Sequence, residues 1–111
     1  MDDDQSAARI RILNDALRCQ GQGGEIFQTR GVAALDEGER SAILSAVAAF
    51  DNFSLDNDPH GEHDCAVLSI GGCRIIWKID YYDVNYRMAS PDPTDPSVTR
   101  RVLTIMLAEE Y

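Results

Sequence analysis

The chain has 111 residues, 44% of them hydrophobic, which is enough for a modest core, and we expect a single domain over residues 1–111. Ten Lys and Arg residues against nineteen Asp and Glu residues give a formal net charge of −9. This charge argues against direct binding of nucleic acid, because phosphate recognition depends on basic side chains, and it favours a basic protein surface as the partner.

The cysteines and the N-terminus indicate a reduced, non-membrane setting. Three cysteines without C-x-x-C spacing argue against both a zinc site and a disulfide framework. The chain starts with acidic residues, so we expect residues 1–4 to be flexible and expect no signal peptide. No apolar run is long enough to span a bilayer. The sequence therefore predicts a cytoplasmic protein that does not bind membranes.

The first half of the chain predicts two helices separated by a strand. Apolar residues at helical spacing predict a helix from about Gln5 to Cys19, which ends at a glycine-rich stretch. The half-polar segment from Glu25 to Val32 predicts an edge strand. Asp36 is the expected N-cap of a second helix, whose apolar stripe ends near Phe50.

A β-hairpin is predicted in the second half, with Gly71-Gly72 as its turn. A two-residue turn of this kind needs positive φ angles, which glycine adopts readily. The resulting register pairs Ile70 with Cys73 and Cys65 with Lys78, and it extends to His63 opposite Asp80. Because side chains alternate along a strand, one face of the hairpin is apolar and the other is mainly polar. The expected core residues are Ala66, Leu68, Ile70, Cys73, Ile75, Trp77 and Ile79.

The last stretch, residues 97–110, fits two structures. Asp95-Pro96 is a strong helix start, and we expect a C-terminal helix on this signal. The β-rich run from Val102 to Ile105 would also suit a central strand. The predicted fold is therefore a small α+β domain, with helices packed on a small antiparallel sheet that has a central hairpin at about 63–70 and 73–82.

The candidate binding residues are the polar residues of the hairpin and of the acidic loop before it. Mixed charge and tyrosine on one strand is typical of protein interfaces, where the ring buries area and the hydroxyl group stays paired. The candidates are Asp58, His60, Glu62, His63, Asp64, Lys78, Asp80, Tyr82 and Asp83. Within this set, we expect His63 and Asp80 to form a cross-strand pair.

Two kinds of chemistry remain as alternatives at this face. His60, His63 and Asp80 have the ligand types of a metal site, although no H-E-x-x-H helix supports it. Cys65 could act as a nucleophile with His63 as its base, but residues two apart on one strand are too far apart for a direct hydrogen bond. The preferred interpretation is a protein without catalytic activity, cofactor or metal.

Several segments resemble a bacterial family known as domain of unknown function 3768, found mainly in alphaproteobacteria and often on plasmids. The matching segments are RILNDALR at 11–18, DNDPHGEHD at 56–64, WKIDYYD at 77–83, SPDP at 90–93 and RVLTIMLAEEY at 101–111. The resemblance implies a mobile-element context and no particular activity.

We therefore expect a small acidic protein that binds another macromolecule, with modulation of a nucleic-acid-binding host protein as a specific hypothesis. The first alternative is a metal-dependent or acid–base enzyme centred on His60, Glu62, His63 and Asp80. The second is a homodimer that forms through the apolar C-terminal stretch.

Overall fold

A computed structural model describes residues 3–111 as three helices and a four-stranded sheet. The helices are α1 (Asp3–Gln20), α2 (Arg30–Ala33) and α3 (Glu37–Ala49), and the strands are β1 (Glu25–Gln28), β2 (Cys65–Ile70), β3 (Cys73–Tyr82) and β4 (Arg100–Leu107). Single-turn 3₁₀ helices cover Pro96–Val98 and Ala108–Glu110. Asp3 and Asp4, which the sequence assigns to a flexible terminus, belong to α1, and residues 1–2 lie outside the described part. The α+β prediction is confirmed.

The hairpin register is confirmed at all six residue pairs, from Cys65 opposite Lys78 to Ile70 opposite Cys73. Gly71 and Gly72 both have positive φ, at 56° and 81°, as the predicted turn requires. The hairpin is not central in the sheet, because the strand order is β1-β4-β3-β2 and β2 is therefore an edge strand. The sheet is mixed, since β1 runs parallel to β4 while the other pairs are antiparallel.

The predicted C-terminal helix is wrong, because residues 100–107 form strand β4 between β1 and β3. Asp95 does cap a helix, but this is only the single 3₁₀ turn Pro96–Val98. The Asp95 side chain accepts a hydrogen bond from the Ser97 backbone at 2.9 Å. Most residues of β4 are buried on one face or the other, as the β-rich run from Val102 to Ile105 requires. Pairing with two strands therefore overrides the local helix signal.

The predicted edge strand is correct in position but too long. β1 ends at Gln28, and Arg30 begins the short helix α2. Glu110 stabilises this change of direction, because its carboxylate accepts hydrogen bonds from the Thr29 hydroxyl group and from the Gly31 backbone.

The two faces of the sheet have different surroundings. Buried residues of all three helices form one cluster with the inner side chains of the sheet: Leu17, Val32, Ile43, Val47, Ala66, Ile75, Trp77, Ile79, Leu103 and Ile105. The predicted inner face of the hairpin is thus confirmed. We call the opposite side the open face, with the outward side chains of Glu25, Phe27, Cys65, Val67, Ser69, Arg74, Ile76, Lys78, Asp80, Tyr82, Arg100, Val102, Thr104 and Met106.

Candidate functional site

The candidate residues divide between the two sides of the sheet, and His63 lies on the helix side. The backbone of His63 has a φ of 53°, outside the range of a strand. The last ladder bond of the hairpin runs from the Ile79 backbone N–H to the Asp64 carbonyl oxygen at 2.7 Å. The predicted cross-strand pair of His63 with Asp80 is therefore wrong.

His63 instead lies between two carboxylates. Its Nδ1 atom is 2.9 Å from Oδ1 of Asp15 on α1, and its Nε2 atom is 3.6 Å from Oδ2 of the buried Asp58. The backbone N–H of His63 also donates to Asp58 Oδ1. The imidazole ring stacks on Phe53, with ring centroids 3.7 Å apart and planes 7° apart. His63 thus attaches the acidic loop to α1.

Arg18 extends this attachment to α3. Its guanidinium group donates to the carbonyl oxygens of Val47 and Phe50, both at 2.8 Å, where α3 ends. It also contacts Asp15 at 3.3 Å and lies 5.0 Å from the ring centroid of Trp77. Arginine is suited to this position because its donors lie in one plane that can also stack on aromatic rings.

A second group of polar side chains surrounds the fully buried Asn14. Its amide oxygen accepts from Arg101 Nε at 2.6 Å, and its amide nitrogen donates to the Tyr81 hydroxyl oxygen at 2.8 Å. The Tyr81 hydroxyl group donates to Glu62 at 2.8 Å. Burial raises the pKa of Tyr81, and burial lowers the pKa of Arg101. We call both groups together the helix-side network: Asn14, Asp15, Arg18, Asp58, Glu62, His63, Tyr81 and Arg101.

Five members of this network were not among the candidates from the sequence: Asn14, Asp15, Arg18, Tyr81 and Arg101. Helical spacing assigns Asn14, Asp15 and Arg18 to the polar surface of the first helix, and a C-terminal helix would have had Arg101 on its polar side. In β4, Arg101 points inward opposite Tyr81, and its side chain meets Asn14 across the sheet. The strand alternation of residues 100–107 was the signal that could have placed Arg101 on this side.

The three residues of the alternative metal site are not brought together. His60 is exposed beside the first turns of α1, in a shallow cavity with Asp4 and Glu62. His63 contacts Asp15, and Asp80 contacts Lys78 on the open face. Within residues 3–111, no three His, Cys, Asp or Glu side chains are grouped so that they could hold a metal ion.

The thiol alternative also lacks its geometry. Cys65 points to the open face, whereas the ring nitrogens of His63 face Asp15 and Asp58 on the helix side. Burial raises the pKa of Cys65, and the nearby charges of Asp64 and Asp58 raise it further. A raised pKa disfavours the thiolate, which is the reactive form.

On the open face, Lys78 and Asp80 form an ion pair of 2.8 Å. The hydrogen bond that the Lys78 ammonium donates to Asp80 raises the pKa of Lys78, which stays charged. The pair lies in a groove of about 540 Å³ that Val67, Ile76 and the C-terminal Tyr111 also line. The groove therefore combines an apolar floor with the Lys78–Asp80 ion pair and the carboxyl group of Asp64.

The sheet register arranges the open face in rows that cross the strands. Val67, Ile76 and Met106 form an apolar row, and Cys65, Lys78, Thr104 and Phe27 form the next row. A third row holds Asp80, Val102 and Glu25, so the apolar Val102 has one carboxylate on each side. Tyr82 and Arg100 follow, and the ring of Tyr82 lies 6.1 Å from that of Tyr86.

Asp83 lies beyond the end of β3 and organises the turn that follows. Its Oδ1 atom accepts hydrogen bonds from the backbone N–H groups of Arg87 at 2.9 Å and Asn85 at 3.2 Å. These donors lower the pKa of Asp83. The carboxylate is thereby committed to the turn.

Large apolar side chains are exposed on and beside the open face. Phe27 is 52% exposed, Val67 is 47% exposed and Tyr111 is 85% exposed. The sequence around Phe27 does not reveal its exposure, because a short edge strand gives no indication of which of its faces is covered. Aromatic residues with neighbouring charge are enriched at protein interfaces.

Comparison with known families decides the identity of the chain. Residues 28–110 match the family described as "Protein of unknown function (DUF3768)". The chain belongs to this family. The match includes β2, β3, β4 and all of α2 and α3, so it covers most of the open face of this DUF3768 protein.

Further comparisons give no function to this DUF3768 protein. No curated protein and no solved structure matches it. Among the helices within residues 3–111, none is both long enough and apolar enough to cross a membrane.

Proposed function

We propose that this protein is a non-catalytic binding protein whose open face docks onto another protein. The observation that carries the proposal is the exposure of Phe27 and Val67 on the sheet face opposite the helices. Large apolar side chains grouped with charges on one exposed surface are typical of interaction sites. Phe27 and Tyr82 supply the aromatic area that often dominates binding energy.

The partner proposed for this surface is a basic protein, and the reason is the overall charge of the chain. The open face itself holds two acidic side chains, Glu25 and Asp80, and three basic ones, Arg74, Lys78 and Arg100. The net charge of −9 would attract a basic surface and speed its encounter. On the face itself, the carboxylates of Glu25 and Asp80 flank Val102 in one row. Asp80 is paired with Lys78, and Glu25 accepts a hydrogen bond from the Tyr86 hydroxyl group, so a basic partner would compete with these contacts. A partner with apolar and basic groups at matching positions would contact both parts of this row.

A protein that normally binds nucleic acid meets these requirements, because its binding surface is basic. Glu25 and Asp80 would then occupy positions that phosphate groups take in the natural complex, and the proposed role is modulation of such a host protein. This role fits the mobile-element setting that the family resemblance implies and the cytoplasmic location that the cysteine usage predicts. Direct binding of nucleic acid by the chain itself does not fit its charge.

The helix-side network is better explained as structural. Asn14, His63 and Arg101 are all bonded to groups of the same chain. Buried polar groups require such partners because an unpaired group destabilises the fold. The proposal therefore places binding on the open face and assigns the network to holding the loop, α1 and the sheet together.

Site-specific crosslinking in cells tests this proposal. A photoreactive benzoyl-phenylalanine would replace Phe27 on the open face in one variant. A matched variant would carry it at Ile12 of α1, which is 67% exposed on the helix side. We expect a discrete adduct with a basic host protein at position 27 and none at position 12.

Two outcomes would contradict the proposal. One is an equal set of adducts at positions 27 and 12, which would show non-specific contact. The other is a metal-dependent rise of the melting temperature that His63→Ala abolishes, because that result would support the enzyme alternative instead.

A further inference from the structure

The outer edge of β2 carries unused hydrogen-bonding groups. In an antiparallel pair, residues that exchange hydrogen bonds alternate with residues that point their backbone groups away from the partner strand. The Ile79 N–H donates to the Asp64 carbonyl oxygen, which identifies Asp64 as a bonded position. The bonded positions of β2 therefore fall on the even-numbered residues that follow Asp64. The backbone groups of the odd-numbered residues Cys65, Val67 and Ser69 point away from β3. Within residues 3–111, no strand pairs with this side.

This edge lacks the devices that usually prevent strand pairing. Exposed edge strands are generally protected by charged side chains, proline or a bulge. From Cys65 to Ile70 the sequence CAVLSI contains neither a charged residue nor a proline. β2 pairs with β3 at six successive positions without an extra residue, so it has no bulge. The other edge strand, β1, is shorter and includes Glu25.

We infer that two copies of this chain pair antiparallel through β2, about a two-fold axis at Val67, to give one continuous eight-stranded sheet. In this register, Cys65 of one copy lies opposite Ser69 of the second copy, and the two Val67 residues face each other. Asp64 lies opposite Ile70, so no two carboxylates meet. The edge is thus complementary to itself.

The charge distribution leaves this edge as a place where a second copy can approach. A net charge of −9 makes two copies repel each other over most of their surfaces. The segment Cys65–Ile70 is uncharged, so it can approach its own copy without that penalty. Antiparallel pairing would also satisfy backbone N–H and C=O groups on both copies.

The side chains of the open face support the same register. Met106, Ile76 and Val67 form an apolar row that ends at the β2 edge. In the pair, the row continues directly into Val67, Ile76 and Met106 of the second copy. Val67 would then be flanked on both sides, which accounts for an exposed valine at an edge position.

Sedimentation velocity of the purified chain over a range of concentrations tests the inference. We expect a shift from monomer to dimer as the concentration rises. Val67→Lys would place two like charges opposite each other and should keep the protein monomeric. Val84→Lys is the matched control, since Val84 is similarly exposed but lies in the loop after β3.

Val67→Pro is a second variant with a more specific effect. It removes an N–H group that points away from β3, and proline is tolerated at such edge positions. We therefore expect loss of the dimer together with an unchanged melting temperature at concentrations where the wild-type chain is still monomeric. If this variant does not fold, Val67→Lys still gives the decisive result.

Disulfide trapping tests the register itself. With Cys19 and Cys73 replaced by serine, Ser69→Cys should form an intermolecular bond to Cys65 of the second copy on oxidation. Within one strand, residues 65 and 69 are roughly 13 Å apart, too far for an internal bond. Adding Cys65→Ser should abolish the trapped dimer. A monomer at every concentration, or a dimer that Val67→Lys leaves intact, would overturn the inference.

Discussion

The helix-side network and the open face contain similar residue types but use them differently. On the helix side, Asn14, His63 and Arg101 contact partners from distant parts of the chain at 2.6–2.9 Å. On the open face, Lys78 and Asp80 contact each other within one strand, and both side chains remain more than a third exposed. The sequence had placed His63, Lys78 and Asp80 on one surface.

This difference separates residues that hold the fold from residues that are free to bind. Polar groups that lie between packed elements must bond to one another, because solvent cannot satisfy them. Polar groups on an uncovered sheet face stay hydrated and can exchange water for a partner at little cost. Substitutions in the helix-side network should therefore reduce stability, whereas substitutions on the open face should reduce binding.

The largest loss of stability is expected for Asn14→Ala. The substitution leaves the buried Nε–H donor of Arg101 without its acceptor and removes the amide donor from the Tyr81 hydroxyl oxygen. It should lower the free energy of unfolding by about 3 kcal/mol or more. Urea denaturation measures this change. Asn85→Ala is the matched control, because Asn85 is exposed in a turn, and it should change the value by less than about 0.5 kcal/mol. Equal effects of both substitutions would contradict the role of the network.

A smaller loss is expected for His63→Ala, which removes the stack on Phe53 and the contacts with Asp15 and Asp58. We expect a decrease of about 1–3 kcal/mol in the free energy of unfolding. His60→Ala, three residues away and exposed, should be close to neutral. If His60→Ala lowered the free energy of unfolding more than His63→Ala, the structural role assigned to His63 would be contradicted.

Asp64→Asn should raise the melting temperature at pH 7. Burial raises the pKa of Asp64 above its usual value, so ionisation destabilises the folded state at neutral pH. The stability associated with the protonated form is present below the unfolded pKa and is lost as pH rises through the folded pKa. The advantage of asparagine should therefore disappear toward pH 3.

Asp83→Asn is the matched control for Asp64→Asn, because the pKa of Asp83 is lowered whereas the pKa of Asp64 is raised. Backbone donors lower the pKa of Asp83, so its contribution to stability is present above the unfolded pKa and is lost as pH falls through the folded pKa. Asparagine at position 83 should lower the melting temperature at pH 7 and have little effect at pH 3. Melting curves of both variants across this range would contradict the account if the two trends had the same sign.

The smallest effect on stability is expected for the Lys78–Asp80 pair. Exposed ion pairs contribute roughly 0–1 kcal/mol. A double-mutant cycle with Lys78→Met and Asp80→Asn should give a coupling energy below about 0.5 kcal/mol. A coupling as large as the His63→Ala effect would mean that the open face also has a structural role.

The sequence was sufficient to predict the hairpin because its determinants are local. Gly71-Gly72 allows a two-residue turn, the turn sets the register, and alternation then assigns Trp77 and Ile79 to the core. The N-cap at Asp36 is equally local, and its side chain accepts from the Glu39 backbone as predicted.

The remaining features depend on contacts between distant residues. Strand β2 begins at Cys65 and does not include His63, because Asp15 and Asp58 hold the His63 side chain on the helix side. Residues 100–107 form a strand because β1 and β3 flank them, and this pairing decides between the helix start at Asp95-Pro96 and the β-rich run that follows it. For the same reason, Lys78, Asp80 and Tyr82 lie on the polar face of the hairpin as predicted, whereas Glu62 and His63 lie on the helix side.

The most direct test of the central claim is a binding titration with the partner recovered by crosslinking at position 27. Phe27→Ala should weaken binding at least tenfold, because aromatic residues within an interface commonly contribute more than about 1.4 kcal/mol. Ile12→Ala on the helix side should change the dissociation constant by less than about twofold. If Ile12→Ala weakened binding as much as Phe27→Ala, or if neither did, the open face would not be the binding surface.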